Sequence, residues 1–263
     1  MIPRNFIQEW AKFVPWQEPR QVEQDLIITR ALMEIYTNSE LKPLLAFRGG
    51  TALNKLFFKP PSRYSEDIDL VQIRNAKIGD TIDLLRSVLD SWMGEPKRNY
   101  SEGRISLSYK VTSDDGFPIK LKIEINTNEN FSVLGFKDYL FESDSSWTEP
   151  NVSITTYQIE ELLGTKLRAL YQRRKGRDLY DFYIAITTLS NLDFQKIIEC
   201  FNHYMEAEGN KISRKNFIEN MEIKLQNKEF LGDMIPLFPR DRNSFDPKEA
   251  YNLLFNNLVS LMR

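Results

Sequence analysis

The chain has 263 residues, enough for one large domain or two modest ones, and its 35 basic and 37 acidic residues give a net charge of −2. This balance excludes a protein that binds nucleic acid through its overall positive charge, although it is compatible with a local basic surface. The single cysteine, Cys200, excludes an intrachain disulfide and fits a reducing compartment.

The lack of membrane and secretion signals and the scarcity of histidine narrow the range of possible functions. The sequence has no run close to the roughly 18 apolar residues of a membrane span, and its first residues lack a signal-peptide pattern, so we expect a cytoplasmic protein without a membrane partner. The only histidine, His203, lies in a helical pattern without a suggestively spaced acid, and we expect it on a helix surface. The chemistry must therefore rest on carboxylates, lysines and arginines.

The first part of the chain has a mixed helix and strand pattern. We predict, in order, an amphipathic helix at 20–37, a buried strand at 44–47 and a short helix from Thr51 to about Phe58. Gly49 and Gly50 form the turn between that strand and that helix. Such a turn leaves free backbone N–H groups at the helix start, where a phosphate can bind.

The next strand carries two acidic residues. The segment KPPSRYS is predicted as a loop because paired prolines cannot continue a helix, and EDIDLVQI as a strand. Ile68 and Leu70 then lie on one face, and Asp67 and Asp69 on the other. Neighbouring carboxylates on a partly buried surface repel each other and lose hydration, which indicates a bound cation.

A third acid is expected close to this pair. After a helix at 77–93, the pattern predicts strands at 104–112 and 119–127, joined by the turn SDDGFP. The second strand alternates cleanly and places Glu124 on its polar face. With Asp67 and Asp69, Glu124 would complete a cluster of oxygen ligands for Mg²⁺ or Mn²⁺, the arrangement that phosphoryl or nucleotidyl transfer needs.

The second part of the chain is predicted to be helical. We divide the chain at about residue 150, in the loop DSSWTEPNVS, which gives domains 1–150 and 151–263. Helices are expected near 157–174, 178–189, 193–207, 213–226 and 247–262.

A lysine interrupts the apolar stripe of the first of these helices. Lys166 falls among leucines, and Arg173 lies two turns further on the same side. One interpretation is a lysine whose stem packs on the core while its ammonium reaches the edge; the other is a cation directed at a triphosphate. Arg177 belongs to the following segment, RRKGRDLYD, which also fits a basic helix end followed by Asp178 as an N-cap.

Taken together, these segments resemble the AbiEii family of nucleotidyltransferase toxins, the abortive-infection group that includes the MenT toxins. The matching segments are FRGGTALNKL, RYSEDIDL, KLKIEIN and KLRALYQRRKGRDLYDFY, in the family's order over roughly residues 20–190. The resemblance implies an α+β fold: a DNA polymerase beta-like nucleotidyltransferase core with a small mixed sheet, followed by a helical C-terminal domain that contributes to the active-site cleft.

The resemblance also implies roles for individual residues. Nucleotide binding is implied for Gly49, Gly50, Thr51, Ser65, Lys166, Arg173 and Arg177. Asp67, Asp69, Lys166 and Asp178 would be catalytic, and Asp67, Asp69 and Glu124 would bind the metal. Lys122 and Glu124 look like the family's second motif. Because Gly176 and Arg177 precede Asp178 here, the phosphate role falls on one of several basic residues.

The implied reaction transfers a nucleoside monophosphate from an NTP to an acceptor hydroxyl, with pyrophosphate leaving. The expected acceptor is the 3′ end of tRNA, and the expected partner is a cognate antitoxin. Three alternatives stay open: a protein or small-molecule acceptor, an inactive nucleotide-binding or partner-binding module, and a metal nuclease that uses the same carboxylates.

Overall fold

The computed structural model describes residues 2–74, 77–241 and 245–263. Its architecture is α+β, as the sequence predicts. The helices are α1 (Arg4–Trp10), α2 (Pro19–Thr37), α3 (Gly49–Ala52), α4 (Ile78–Met93), α5 (Ile159–Gln172), α6 (Gly176–Thr188), α7 (Phe194–Ala207), α8 (Arg214–Lys224), α9 (Lys228–Gly232) and α10 (Pro247–Asn257). The strands are β1 (Leu45–Arg48), β2 (Asp67–Gln72), β3 (Lys97–Ser101), β4 (Arg104–Thr112), β5 (Pro118–Asn126), β6 (Phe136–Glu142) and β7 (Asn151–Tyr157).

The chain folds into two compact units. The first contains Met1–Ser132 and Phe136–Tyr157, and the second contains Val133–Gly135 and Gln158–Arg263. The division after Tyr157 assigns β7 to the first unit, whereas the expected boundary near residue 150 puts this strand in the second domain. The reason is strand pairing, because β7 is hydrogen-bonded to β1 and β6 of the first unit.

The seven strands of the described ranges form one mixed sheet in the order β3-β4-β5-β2-β1-β7-β6. The central strand β2 is antiparallel to β1 and parallel to β5. Alternation along β5 buries the side chains of Ile119, Leu121, Ile123 and Ile125 on one face. Helix α2 packs against β5 and β7, so the apolar face of the sheet is covered and its polar face is available for a site.

The second unit is built from helices. Gly164 on α5 lies so close to α7 that a Cβ there would be 2.5 Å from Cβ of Cys200, which is why a glycine is needed at this helix crossing. Glu161, fully buried, accepts hydrogen bonds from the backbone N–H groups of Val133 and Leu134 and from the Tyr204 hydroxyl. These bonds account for the inclusion of Val133–Gly135 in this unit.

Most predicted elements are confirmed, including the acidic strand, the hairpin of β4 and β5, and the exposed position of His203 on α7. The prediction omitted α1, α9, β3, β6 and β7. The short helix after the glycine turn is also less regular than expected, because α3 continues into a π-helical turn at Leu53–Phe57. No described helix is both long enough and apolar enough to span a membrane.

Candidate active site

The glycine turn lies directly against the acidic strand. Gly49 has a φ of +80°, a conformation that favours glycine, and a Cβ at this position would lie 2.4 Å from Oδ2 of Asp69. In the antiparallel ladder the preceding residue, Arg48, is the partner of Asp69. The two motifs that the sequence places 20 residues apart are therefore in contact, and the contact leaves no room for a side chain at Gly49.

Two further side chains fasten the turn to the acidic strand. Thr51 donates a hydrogen bond from Oγ1 to the backbone oxygen of Asp67 at 2.7 Å. Asn54, in the π-helical turn, donates to the backbone oxygen of Gly50 at 3.0 Å and accepts from the backbone N–H of Arg63 at 3.2 Å. The loop before the acids is thus held by the helix after the glycines, an arrangement that the sequence analysis did not anticipate for Asn54.

Asp67 and Asp69 lie on the polar face of β2, as predicted. Their partners in the parallel strand β5 are Lys122 and Glu124, respectively. The pKa of Asp67 is raised to about 6, first by burial and then by the negative charges of Asp69 and other nearby carboxylates, which outweigh the lowering by Lys122. The carboxylate of Asp67 is therefore in a site whose electrostatics favour an added cation.

Glu124 lies opposite Asp69 in the ladder, so the predicted proximity of the third acid is confirmed. Its carboxylate, however, is ion-paired with Lys122 and with Arg104, the latter at 3.1 Å. Within the three described ranges, no group of three or more His, Cys, Asp and Glu side chains is arranged to hold a metal ion. Metal binding by Asp67, Asp69 and Glu124 consequently stays a prediction.

Two arginines near the acids were missed by the sequence analysis. The partly buried Arg48 is ion-paired with Glu129 at 2.5 Å and interacts electrostatically with Asp69. Burial opposes its charge, but these acids raise the pKa of Arg48 overall. Arg63, which is buried, donates to Oγ of Ser65 at 3.1 Å. In the sequence Arg48 directly precedes Gly49 in the motif FRGGTALNKL, and this position is the signal that could have identified Arg48 as a site residue.

The second unit contains a separate ionic cluster. Nζ of Lys166 lies 3.1 Å from Oδ1 of Asp178 and 2.9 Å from Oδ2 of Asp181, and both carboxylates are fully buried. Arg173 binds Asp178 with two contacts, at 2.7 and 2.8 Å. Lys166 is 4% exposed, so its ammonium does not reach the surface edge as one interpretation expected.

Asp178 is a partner in this cluster and does not cap a helix. Helix α6 begins at Gly176 after Lys175, which places Asp178 inside the first turn, so the alternative of an Asp178 N-cap is wrong. Burial raises the pKa of this carboxyl, but Lys166 and Arg173 outweigh that effect and lower the pKa of Asp178 to about 2. The carboxylate is ionised at neutral pH because its cations are close.

The other predicted phosphate contact, Arg177, is also engaged. Its guanidinium binds Asp233 at 3.0 and 3.2 Å. Nearby, Nζ of the buried Lys224 donates to the backbone oxygens of Leu170 and Tyr171 at the end of α5. Desolvation lowers the pKa of Lys224 to about 8. The basic segment between α5 and α6 is therefore fixed at both ends.

The structure thus assembles the predicted residues as two groups. The first unit brings together Gly49, Gly50, Thr51, Asp67, Asp69 and Glu124, and Ser65, which is hydrogen-bonded to Arg63, lies two residues before Asp67. The second unit joins Lys166, Arg173 and Asp178 around Asp181, while Arg177 pairs separately with Asp233.

The overall fold is shared with solved structures of nucleotidyltransferases. The chain is similar to MenT4, a nucleotidyltransferase toxin of Mycobacterium tuberculosis, with 11% identity, coverage of 98% of this chain and 100% of that chain, and a TM-score of 0.60. It is also similar to JHP933 of Helicobacter pylori, with 13% identity, coverage of 94% and 92%, and a TM-score of 0.56.

A comparison of the sequence with protein families identifies the family of this chain. The pattern of the nucleotidyl transferase AbiEii toxin family, a type IV toxin–antitoxin system, matches residues 30–251, and the chain belongs to this family. Among proteins with curated functions, none matches the chain. The resemblance seen in the sequence motifs is therefore confirmed at the level of family and fold.

Proposed function

We propose that the protein transfers a nucleoside monophosphate from an NTP to an acceptor hydroxyl, releases pyrophosphate and acts as the toxin of a toxin–antitoxin pair. The observation that carries the proposal is the contact between Gly49 and Asp69, which puts the glycine turn beside a pair of carboxylates; we propose that this turn binds phosphate. The favoured acceptor is the 3′ end of tRNA, and a cognate antitoxin is the expected protein partner. Because the free Cys200 is buried and suits a reducing compartment, we assign the reaction to the cytoplasm.

The donor set fits a hard divalent cation. Asp67 and Asp69 offer carboxylate oxygens, which Mg²⁺ and Mn²⁺ prefer. The raised pKa of Asp67 reflects burial and then repulsion from neighbouring carboxylates, both of which such an ion would offset. When bound, the ion would supply Lewis-acid polarisation of the phosphoryl group and lower the pKa of the attacking hydroxyl.

The protein's own groups position the substrate. In this proposal the backbone N–H groups from Gly49 to Thr51 hold the leaving phosphates, and the Thr51 hydroxyl fixes the strand of Asp67 through its backbone oxygen. Asn54 holds the loop before Asp67 against the glycine turn, through its hydrogen bonds with Gly50 and Arg63. Preorganised donors of this kind lower the barrier because they need no rearrangement during the reaction.

The second unit also carries candidate nucleotide-binding cations. The side chain of Arg173 is 53% exposed while it binds Asp178, and we propose that it contacts a nucleotide phosphate. For Lys166, burial between Asp178 and Asp181 favours a positioning role, in which the lysine keeps Asp178 ionised and Arg173 oriented. A direct contact of Lys166 with nucleotide is the alternative.

Label transfer tests the proposed reaction. The wild-type protein and the Asp69→Ala variant would each be incubated with Mg²⁺ and α-labelled NTPs, in the presence of total RNA or total protein. We expect label on RNA of tRNA size, with pyrophosphate release, for the wild type alone. Label on protein instead would show that the acceptor is a protein hydroxyl and not tRNA. Nucleotide binding without turnover would support an inactive module, and RNA fragments without pyrophosphate would support a nuclease.

A further inference from the structure

The sheet face that carries Asp67 continues as a polar surface across three more strands. The ladders align Asp67 with Lys122 on β5, Lys122 with Ser108 on β4, and Ser108 with Lys97 on β3. Residues paired directly across a sheet point to the same face. A single row of side chains therefore leads from the acid to the exposed edge strand.

Lysines surround the middle of this row. Two residues along β4 from Ser108 is Lys110, which lies directly opposite Lys120 of β5. Like charges opposite each other in a sheet are destabilising. Lys97, Lys110 and Lys120 are all exposed, and none of the three has an ion-pair partner in the part of the chain that the structure describes. We call these three lysines around Ser108 the lysine patch; Lys122 is not counted because it is paired with Glu124.

The patch lies on a particular side of the acids. In the strand order, β1 with its glycine turn is on one side of β2, and β5 followed by β4 is on the other. With strands about 4.8 Å apart, Ser108 is about 10 Å from Asp67 and Lys97 about 14 Å. If the triphosphate occupies the glycine turn, the lysine patch faces the side from which the attacking hydroxyl must approach.

We propose that the lysine patch binds phosphates of the acceptor RNA strand and so guides its 3′-hydroxyl toward Asp67 and Asp69. The inference rests on the proposed function for the identity of the reaction. The chemistry matches the occupant: a row of separated, unneutralised ammonium groups suits a chain of repeated phosphates, and Ser108 adds a hydroxyl donor. A free triphosphate would instead be held on the glycine side.

The test compares two triple variants with the same change in charge. The patch variant is Lys97→Gln/Lys110→Gln/Lys120→Gln. The control is Lys12→Gln/Arg98→Gln/Lys137→Gln, which removes three exposed charges away from the patch. Arg98 and Lys137 lie on the opposite face of the same sheet, because they align with Leu107 and with Thr156, which follow the register of the apolar face.

Binding of unfractionated tRNA would be measured without NTP across about 50–200 mM salt, beside Mg²⁺-dependent NTP binding. We expect the patch variant to bind tRNA about tenfold or more weakly, with a salt slope reduced by about 2–3, while the control matches the wild type. NTP binding should be unchanged in both variants. Three results would each overturn the inference: the patch variant has the tRNA affinity and salt slope of the wild type, the control loses as much affinity as the patch variant, or the wild type does not bind tRNA.

The label-transfer experiment reports separately on the proposed function. If the wild type transfers label to RNA but the patch variant has unaltered tRNA affinity, the proposed role of the lysine patch is wrong and the proposed reaction still stands. Conversely, tRNA binding that depends on the patch, without any label transfer, would count against the reaction and leave the RNA surface standing.

Discussion

The two units hold a partly buried and a fully buried carboxylate in opposite electrostatic states. In the first unit, burial and neighbouring acids raise the pKa of Asp67 to about 6. In the second unit, Asp178 is completely buried, yet Lys166 and Arg173 lower the pKa of its carboxyl to about 2. The carboxylate of Asp67 therefore favours binding of a proton or another cation, whereas the charge of Asp178 is already neutralised by Lys166 and Arg173.

This difference separates ligand binding from support of the fold. A carboxylate whose charge is matched by buried protein cations is costly to disturb, because removal of one partner leaves an unpaired charge inside the protein. A carboxylate beside other acids weakens the fold unless a ligand supplies positive charge. The first pattern describes Asp178 and Asp181, and the second describes Asp67, so substitutions in the two units should have contrasting effects.

The largest effect is expected at the acidic strand. Replacement of Asp69 with Asn should reduce nucleotidyl transfer by about 10³-fold, equivalent to about 4 kcal/mol, because a ligand of the divalent ion is lost. Stability should be unchanged or slightly higher, since the substitution removes repulsion with Asp67. Steady-state label transfer and urea unfolding would measure the two quantities. Substantial activity in a folded Asp69→Asn protein would contradict the assignment.

The second unit should show the reverse. Lys166→Met leaves Asp178 and Asp181 without their shared cation and is expected to cost about 3–5 kcal/mol in the free energy of unfolding. Lys196→Met, at an exposed ion pair of α7, is the matched control and should cost less than about 0.5 kcal/mol. Equal stability of the two variants in urea unfolding would show that the buried cluster does not support the fold.

The pH dependence of this cluster has a defined sign. The pKa of Asp178 is lower in the folded protein than in the unfolded chain, so its contribution to stability is present above about pH 4 and is lost as the pH falls toward about 2. Lys166→Met should remove most of that acid sensitivity.

The contact between the glycine turn and the acidic strand can be isolated with a matched pair. Gly49 and Gly116 have φ values of +80° and +84°, but only at Gly49 would a new Cβ meet another atom, Oδ2 of Asp69. Both Gly→Ala variants should lose about 1 kcal/mol from backbone strain. Gly49→Ala should lose about 1–2 kcal/mol more and at least about tenfold in transfer rate, because Asp69 is displaced. Full activity of Gly49→Ala would argue against the contact.

The smallest expected effect is the pH dependence of metal affinity. Because the folded pKa of Asp67 is raised to about 6, a proton competes with the divalent ion below that pH. The Kd for Mg²⁺ should increase by up to about tenfold for each pH unit below about 6 and be nearly constant above about 7. Calorimetric titration of Mg²⁺ from about pH 5 to about pH 8 would measure this Kd. A Kd that is independent of pH would contradict the electrostatic account of the acid pair.

Strict alternation explains why the site of the first unit was predictable from sequence. The period of β5 and of the segment around Ile68 assigned Asp67, Asp69 and Glu124 to one face, and strand pairing then aligned them. By contrast, β3 and β6 were missed because they are edge strands with charged, exposed residues and little alternation.

The ion pairs were not predictable in the same way. Lys166 was recognised as unusual within an apolar stripe, but its partners Asp178 and Asp181 come from the next helix, and their approach depends on the turn between α5 and α6. Likewise, the pairing of Glu124 with Lys122 and Arg104 is a choice of rotamers among neighbours that the alternation leaves open.

Counting bound Mn²⁺ by electron paramagnetic resonance tests the contrast between the two units most directly. The wild type and an Asp178→Asn variant that remains folded should bind Mn²⁺ with similar affinity, and Asp69→Asn should lose that binding. Retention of the same Mn²⁺ affinity in Asp69→Asn, or its loss in a folded Asp178→Asn protein, would contradict the account.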